Sequence, residues 1–295
     1  MSIFSRFFGR SSGPDLSVFL GRSPLDTSYR EAWIDSPAGY RLYAHVHAPV
    51  VKGRYPSVVF VPGANSPGTD YDKGGAKGGA LRAEDLASFG FIVLHYDPSG
   101  RGRSGGKEDY WGPIHQRELA TVVDYLSGLP EADSSCIGIL SFSIGIIITT
   151  GALSRYPMKQ VKYVFDWEGP SNRFNTTKND THRPLKEFPS SRDDFWDERE
   201  AVTFIKGLPC HYFRYQAAAD HVQGGYKGHA IELINNAASG KSPWTRCNDN
   251  PENIVMDATS PERYLWVPEG LNHKGQMIKY FIEVAEKACE YGKKL

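Results

Sequence analysis

The stretch from Cys136 to Arg155, CIGILSFSIGIIITTGALSR, constrains the fold more than any other part of the sequence. A short apolar run leads to Ser143, and a longer apolar segment follows it and closes on an RYP sequence. This pattern predicts a buried strand, a sharp turn and a buried helix. Small residues, Ser141 and Gly145, stand two positions before and after Ser143, where a tight turn would bring the strand and helix backbones together.

The turn reads SFSIG and resembles the G-x-S-x-G nucleophile elbow of the α/β-hydrolase superfamily, with Ser141 in place of the first glycine. The resemblance extends from roughly Tyr29 to the C-terminus. By general layout the sequence is most similar to the dienelactone-hydrolase and prolyl-oligopeptidase-like branch. The resemblance implies an α/β-hydrolase fold, in which a mainly parallel eight-stranded sheet is flanked by helices.

The length and composition agree with one such domain over residues 1–295. A chain of 295 residues with 40% hydrophobic residues can bury the core of one large α/β domain or of two small ones, and the resemblance favours one. The polar stretch after the sixth predicted strand, residues 169–200, carries scattered aromatic residues and has no strong period. In the superfamily this connection commonly carries a lid, so we expect a short lid or cap here.

An acid and a base follow the serine in the order that the resemblance implies. Asp220 comes just past a predicted strand over residues 209–215, and His273 follows the predicted last strand, Tyr264 to Val267. In these roles Ser143 Oγ would attack an acyl carbon and His273 would carry the proton. Asp220 would hold the imidazole tautomer and stabilise its cation.

Other residues compete for these roles. Asp166 or Glu168 could be the acid, because some relatives place the acid after the sixth strand. His221 adjoins Asp220 and complicates the assignment, although adjacent side chains usually point apart.

The resemblance also implies an oxyanion hole made of backbone groups. The predicted strand over residues 56–61 runs into the sequence PGAN, where the superfamily places its second oxyanion donor. By that resemblance the donors would be the backbone N–H groups of Ala64 and Ile144.

No metal and no cofactor are expected. His45 and His47 form an H-x-H pair on one face of a predicted strand, which can bind metal. Because no third candidate ligand lies nearby in sequence, an exposed polar face is the preferred interpretation. The four cysteines are scattered without C-x-x-C spacing, which indicates reduced or incidental cysteines and predicts neither a disulfide framework nor a zinc site.

Charge and hydropathy bound the partners and the location. The formal net charge is zero, so neither nucleic acid nor an anionic membrane is indicated as the main partner. The N-terminus lacks an apolar core of signal-peptide length, no segment approaches a membrane span, and a cytoplasmic location is expected. The oligomeric state is left open.

The resemblance implies a serine hydrolase that cleaves small-molecule carboxylic esters through an acyl-enzyme. A peptidase, amidase or thioesterase uses the same three residues and is the alternative, because pocket shape decides the substrate. A non-catalytic binding protein of the same fold is a further alternative.

Overall fold

A computed structural model of the chain describes residues 23–75, 81–181, 187–268 and 273–289. Within these residues, eight strands form one sheet. The strands are β1 (Thr27–Asp35), β2 (Arg41–Pro49), β3 (Tyr55–Val61), β4 (Ile92–Tyr96), β5 (Ala132–Phe142), β6 (Val161–Trp167), β7 (His211–Tyr215) and β8 (Thr245–Cys247). The helices are α1 (Ala83–Ala87), α2 (Pro113–Ser127), α3 (Gly145–Arg155), α4 (Arg173–Thr177), α5 (Asp193–Trp196), α6 (Ala201–Ile205), α7 (Gly228–Ala238) and α8 (His273–Cys289), with 3-10 turns at Gly68–Asp72 and Pro261–Arg263.

The sheet order is β1-β2-β4-β3-β5-β6-β7-β8. The hairpin β1–β2 and the β2–β4 pair are antiparallel, and the remaining neighbours run parallel. Strands β3 and β4 are buried along nearly their whole length, which agrees with their continuous apolar runs and with helices covering both faces. The predicted mainly parallel sheet of eight strands is confirmed.

The eighth strand differs from the sequence-based expectation. Residues 264–267, predicted as the last strand, make a single isolated bridge, Ala217 to Val267. Strand β8 instead lies at Thr245–Cys247, beside β7. A three-residue strand is too short to show the two-residue alternation from which strands are predicted.

Two apolar layers cover the sheet. On one face α2 places Leu119, Val122, Val123 and Leu126 against the strands, at the spacing that aligns side chains on one helix face. On the other face α1 and α8 pack, with Ile278 and Phe281 of α8 fully buried. These layers fix the sheet, so its carboxyl edge provides a rigid base for the loops that follow the strands.

A disulfide joins Cys136 of β5 to Cys289 at the end of α8. The expectation of unpaired cysteines was therefore wrong for these two, while Cys210 and Cys247 are free and buried. The physical reason is tertiary: α8 packs across β5, which brings together two residues separated by 153 positions. Sequence spacing carries no signal for such a pair.

The segment predicted as a lid, residues 169–200, is anchored to the domain where it is described. Trp196 is fully buried, and the Arg173 guanidinium bonds to Asp193, Asp197 and Glu200. Its action as a lid stays a prediction. The N-terminal segment before residue 23 lies outside the described residues. Among the described helices, none is both long and apolar enough to cross a membrane.

Candidate active site

Ser143 stands at a strained turn between β5 and α3. Its φ is +51°, a left-handed conformation that residues with a Cβ rarely adopt. The turn fits because small residues surround it: a Cβ on Gly145 would lie 2.9 Å from the Val61 and Pro62 carbonyl oxygens. Ser141 is fully buried below the turn. The Ser143 N–H donates to the Trp167 carbonyl oxygen at 2.8 Å, which joins the turn to the end of β6.

The imidazole of His221 lies directly beside the Ser143 hydroxyl. His221 Nε2 is 2.9 Å from Ser143 Oγ, and His221 Nδ1 is 2.7 Å from Glu168 Oε2. Because a carboxylate can only accept, Nδ1 carries the proton and Nε2 is free to accept from the serine hydroxyl. The ring also stacks on Trp167, with centroids 5.3 Å apart. We call Ser143, His221 and Glu168 the serine–histidine–glutamate chain.

Glu168 is held rigidly at the end of β6. Its side chain is 3% exposed. Oε1 accepts the backbone N–H of Ala217 at 3.0 Å, and Oε2 also accepts the backbone N–H of His221 at 3.4 Å. Its own backbone N–H donates to the Tyr215 carbonyl oxygen at the end of β7. These bonds orient the carboxylate toward His221 and fix the imidazole tautomer.

The structure pairs Asp220 differently from the expectation. Asp220 Oδ2 lies 2.7 Å from Nε2 of the buried His229, and Oδ1 accepts the backbone N–H groups of Val222 and Gln223. Burial raises the pKa of the Asp220 carboxyl, but the bonds from His229 and the backbone outweigh it and hold the pKa below its usual range. Asp220 therefore closes the turn that carries His221, and its carboxylate binds His229 instead of a histidine beside Ser143.

His273, expected as the base, begins α8, and its side chain lies outside the described residues. The position facing Ser143 Oγ is taken by His221. Asp166, the other competing acid, is fully buried and bonds to Arg214 and Tyr212 at 2.7 Å. Its carboxylate therefore binds side chains of β7 and makes no bond to His221.

The loop after β3 lies against the turn at Ser143. A Cβ on Gly63 would lie 3.1 Å from the Ser143 Cβ. The next residue, Ala64, has a φ of +47°, and its carbonyl oxygen accepts from both Arg101 Nη1 and Trp111 Nε1 at 2.9 Å. Two donors on one carbonyl fix the orientation of this loop.

The amides of Ala64 and Ile144 have no acceptor among the described residues. Ile144 also immediately precedes α3, whose N-terminal end carries partial positive charge. Together these features make the two amides suitable donors to an oxyanion beside Ser143 Oγ.

Comparison with solved structures identifies the architecture. A puromycin-hydrolysing peptidase of Mycobacterium tuberculosis matches with a TM-score of 0.65 and 15% identity, over 89% of this chain and 39% of that one. An acylaminoacyl peptidase of Pyrococcus horikoshii matches with a TM-score of 0.65 and 14% identity, over 94% of this chain and 44% of that one. A Pyrococcus furiosus esterase matches with a TM-score of 0.57 and 18% identity, over 86% of this chain and 92% of that one.

The chain has the α/β-hydrolase fold. The chain spans less than half the length of the two peptidases and nearly the whole length of the esterase. No protein-family model matches the sequence. A curated but uncharacterised Pseudomonas aeruginosa protein is 28% identical over 116 residues, covering 38% of this chain and 29% of that protein.

Within the α/β-hydrolase fold, the residues that the structure brings together follow three neighbouring parallel strands. Ser143 follows β5, Glu168 follows β6 and His221 lies in the loop after β7. Side chains at the carboxyl ends of adjacent parallel strands meet at one edge of the sheet. That rule is a signal in the sequence for Glu168 and His221, but it applies equally to Asp166 and Asp220.

Proposed function

We propose that this protein is a serine hydrolase that cleaves carboxylic esters through an acyl-enzyme, with Ser143 as nucleophile, His221 as base and Glu168 as acid. The observation that carries the proposal is the serine–histidine–glutamate chain, with contacts of 2.9 and 2.7 Å. A serine alone is a weak nucleophile, and a base within hydrogen-bond reach that is oriented by a third group activates it.

In the proposed first step, Ser143 Oγ attacks the ester carbonyl carbon as His221 Nε2 takes the hydroxyl proton. The resulting imidazolium is stabilised by the Glu168 carboxylate. The carbonyl oxygen, now negative, would accept from the amides of Ala64 and Ile144. His221 then returns the proton to the leaving alcohol, which departs and leaves an acyl group on Ser143.

In the proposed second step, water takes the place of the alcohol. His221 accepts a proton from the water as its oxygen attacks the acyl carbon, and then gives the proton back to Ser143 Oγ. A carboxylic acid is released and the enzyme is restored. The half-exposed His221 ring, with 36% of its side chain accessible, gives water a path to the reacting atoms.

The test is hydrolysis of p-nitrophenyl esters from acetate to laurate by pure protein, beside Ser143→Ala, His221→Gln and the matched variant His273→Gln. We expect loss of turnover by a factor on the order of 10⁴ to 10⁶ in Ser143→Ala and His221→Gln. His273→Gln is expected to keep its activity. Loss in His273→Gln with activity retained in His221→Gln would return the base role to His273.

A peptidase or amidase is the second candidate, because two of the matched structures are peptidases. Labelling of Ser143 by a fluorophosphonate without turnover of any ester, together with cleavage of acylated peptide amides, would favour it. Absence of both labelling and turnover would favour a non-catalytic binding protein.

The cytoplasmic location stays a prediction, and the disulfide gives a direct way to examine it. Structural disulfides persist mainly in oxidising compartments, so the Cys136–Cys289 bond speaks against the cytoplasm. Alkylation of thiols in intact cells, followed by mass spectrometry, would show whether these two cysteines are reduced in place.

A further inference from the structure

Three histidines and one aspartate converge on one point, away from the serine–histidine–glutamate chain. They are His45, His47, Asp72 and His95, and their ligand atoms all lie within 4.8 Å of one another. His45 and His47 lie on β2, and His95 lies opposite His45 on β4. Asp72 ends the 3-10 turn Gly68–Asp72, which covers this face of the sheet. We call these four residues the three-histidine cluster.

The burial of the cluster overturns the expected exposed polar face. His45, His47 and His95 are 8%, 6% and 0% exposed, because the turn with Asp72 and the ring of Tyr29 cover them. Asp72 keeps 32% of its side chain accessible, which leaves one side through which a small ion can enter.

The distances within the cluster are those of ligands around a common centre. His47 Nε2 and His95 Nε2 are 3.1 Å apart, and they lie 2.9 and 3.0 Å from the same oxygen, Asp72 Oδ1. Asp72 Oδ2 lies 2.8 Å from His45 Nδ1. In a tetrahedral zinc site with bonds of 2.0–2.1 Å, neighbouring ligand atoms lie about 3.3–3.4 Å from one another. To reach this spacing around an ion, the close atoms would shift outward and the most widely separated atoms, which lie up to 4.8 Å apart, would shift inward.

Hydrogen bonds alone leave this arrangement with one crowded contact. If His47 Nε2 and His95 Nε2 both carry a proton, both N–H groups donate to Asp72 Oδ1, and the 3.1 Å separation of the nitrogens crowds their two positively polarised hydrogens together. If one of them lacks the proton, its lone pair faces the lone pairs of Asp72 Oδ1 at 3.0 Å or less. Either placement leaves one short contact repulsive. A single cation between the three atoms would instead attract the lone pair of each atom, which removes the repulsive contact.

The outer contact of His45 matches that of a metal ligand. Its second ring nitrogen, Nε2, lies 2.8 Å from the Tyr43 hydroxyl. A ligating histidine usually donates its other N–H to a polar partner, which fixes the ring orientation and the tautomer.

We propose that His45, His47, Asp72 and His95 bind one divalent transition-metal ion, with Zn²⁺ as the expected ion. Imidazole nitrogens with one carboxylate oxygen form a donor set suited to tetrahedral Zn²⁺. Four protein ligands close the coordination shell, so the ion stabilises structure and takes no part in chemistry.

The ion would tie the turn Gly68–Asp72 to β2 and β4, beneath the loop at Ser143. Tyr71, next to Asp72, stacks on Phe142 with centroids 4.0 Å apart, and Phe142 directly precedes Ser143. Thr69 in the same turn donates to Asp97 through its N–H and its hydroxyl at 3.0 Å. Metal binding would therefore stabilise the elements that support the Ser143 turn.

The primary test measures metal directly on the tag-free full chain. After chelation and dialysis, we expect titration with Co²⁺ to saturate at one equivalent with the intense visible absorption of tetrahedral cobalt, and one equivalent of Zn²⁺ to displace it. Saturating Zn²⁺, at about 100 times its dissociation constant, should raise the thermal midpoint by about 4–5 °C. No bound metal in the wild type, or octahedral cobalt, would overturn the proposal.

Variants then place the ion. Asp72→Asn keeps the shape of the side chain but removes its charge and replaces one acceptor oxygen by an NH2 donor, and His47→Gln removes the imidazole ligand. Both are expected to bind at least 100-fold more weakly, whereas His211→Gln, a half-buried histidine outside the cluster, should bind like the wild type. Wild-type affinity in both cluster variants would place the ion elsewhere and overturn the assignment. Ester turnover enters none of these measurements, so their outcome is independent of the proposed hydrolase activity.

Discussion

Two sites in this fold use histidine ring nitrogens in opposite ways. In the serine–histidine–glutamate chain, each nitrogen of His221 has its own partner, one donor and one acceptor, along a line. In the three-histidine cluster, nitrogens from different strands point at one another and at one carboxylate oxygen. A linear arrangement suits a proton that moves, while a convergent one suits a cation that stays. The two sites therefore differ in where the ring nitrogens point, although both are built from histidine and a carboxylate.

The largest effect should come from breaking the linear chain at its acid. Glu168→Gln keeps the shape of the side chain but favours the wrong imidazole tautomer, so we expect the turnover number for a p-nitrophenyl ester to fall by a factor on the order of 10⁴. Steady-state kinetics beside Glu262→Gln, an exposed glutamate far along the chain, measures it. A loss of less than tenfold would remove Glu168 from the mechanism.

The neighbouring acid should behave in the opposite way. Asp166 pairs with Arg214 at 2.7 Å, and both side chains are fully buried. Asp166→Asn leaves the guanidinium charge without its partner, so we expect the free energy of unfolding to fall by about 3–5 kcal/mol. Urea denaturation measures this, and turnover per folded molecule should stay within about tenfold of the wild type. A large loss of turnover at wild-type stability would make Asp166 the acid.

A further histidine, His115, sharpens the comparison because both of its ring nitrogens have hydrogen-bond partners when the ring is neutral. Nδ1 accepts the Trp111 N–H at 3.2 Å and Nε2 donates to the Ser99 carbonyl oxygen at 3.1 Å. Burial lowers the pKa of His115 to about 4, with the nearby Arg101 charge adding to the effect. The neutral form is thus favoured by folding. Stability from this group is complete above the unfolded pKa of about 6.5 and is lost as the pH falls toward 4.

We expect this loss to amount to about 3 kcal/mol at most between pH 7 and pH 4. Urea unfolding of the wild type and His115→Gln across that range measures it, and the variant should show a shallower decline. Parallel curves for the two proteins would contradict the role of His115.

The smallest effect should come from removing one of the two hydrogen bonds that hold the Ala64 carbonyl oxygen in the loop after β3. Trp111→Phe keeps the buried ring but removes the indole N–H that donates to the Ala64 carbonyl oxygen, while the bond from Arg101 remains. We expect turnover to fall by about tenfold with little change in the Michaelis constant, because the loop positions a transition-state contact. An increase in the Michaelis constant alone would assign the loop to substrate binding.

Local sequence signals predicted the parts of the fold that are set locally. The elbow at Ser143 depends on small residues within five positions and a helix that begins directly after it, and the structure places it as expected. The buried strand β3 and the buried second half of β5 follow from the short apolar runs over residues 56–61 and 136–140.

What the sequence could not supply was proximity between distant segments. His221 and Glu168 meet because β6 and β7 are neighbours in the sheet, and nothing in either residue's surroundings distinguishes it from Asp220 or Asp166. Likewise the third and fourth members of the three-histidine cluster lie 25 and 48 positions beyond His47. An H-x-H pair read alone therefore predicts a solvent-facing strand.

The disulfide between Cys136 and Cys289 makes the chain between them a closed ring. Ser143, Glu168 and His221 all lie inside that ring. A protease that cuts once anywhere within it would leave two fragments joined by the bond, so all three side chains would stay on one covalent molecule. Nicked protein would migrate as separate pieces on a gel only after reduction, and activity surviving the cut would show how far the packed sheet alone holds these residues together.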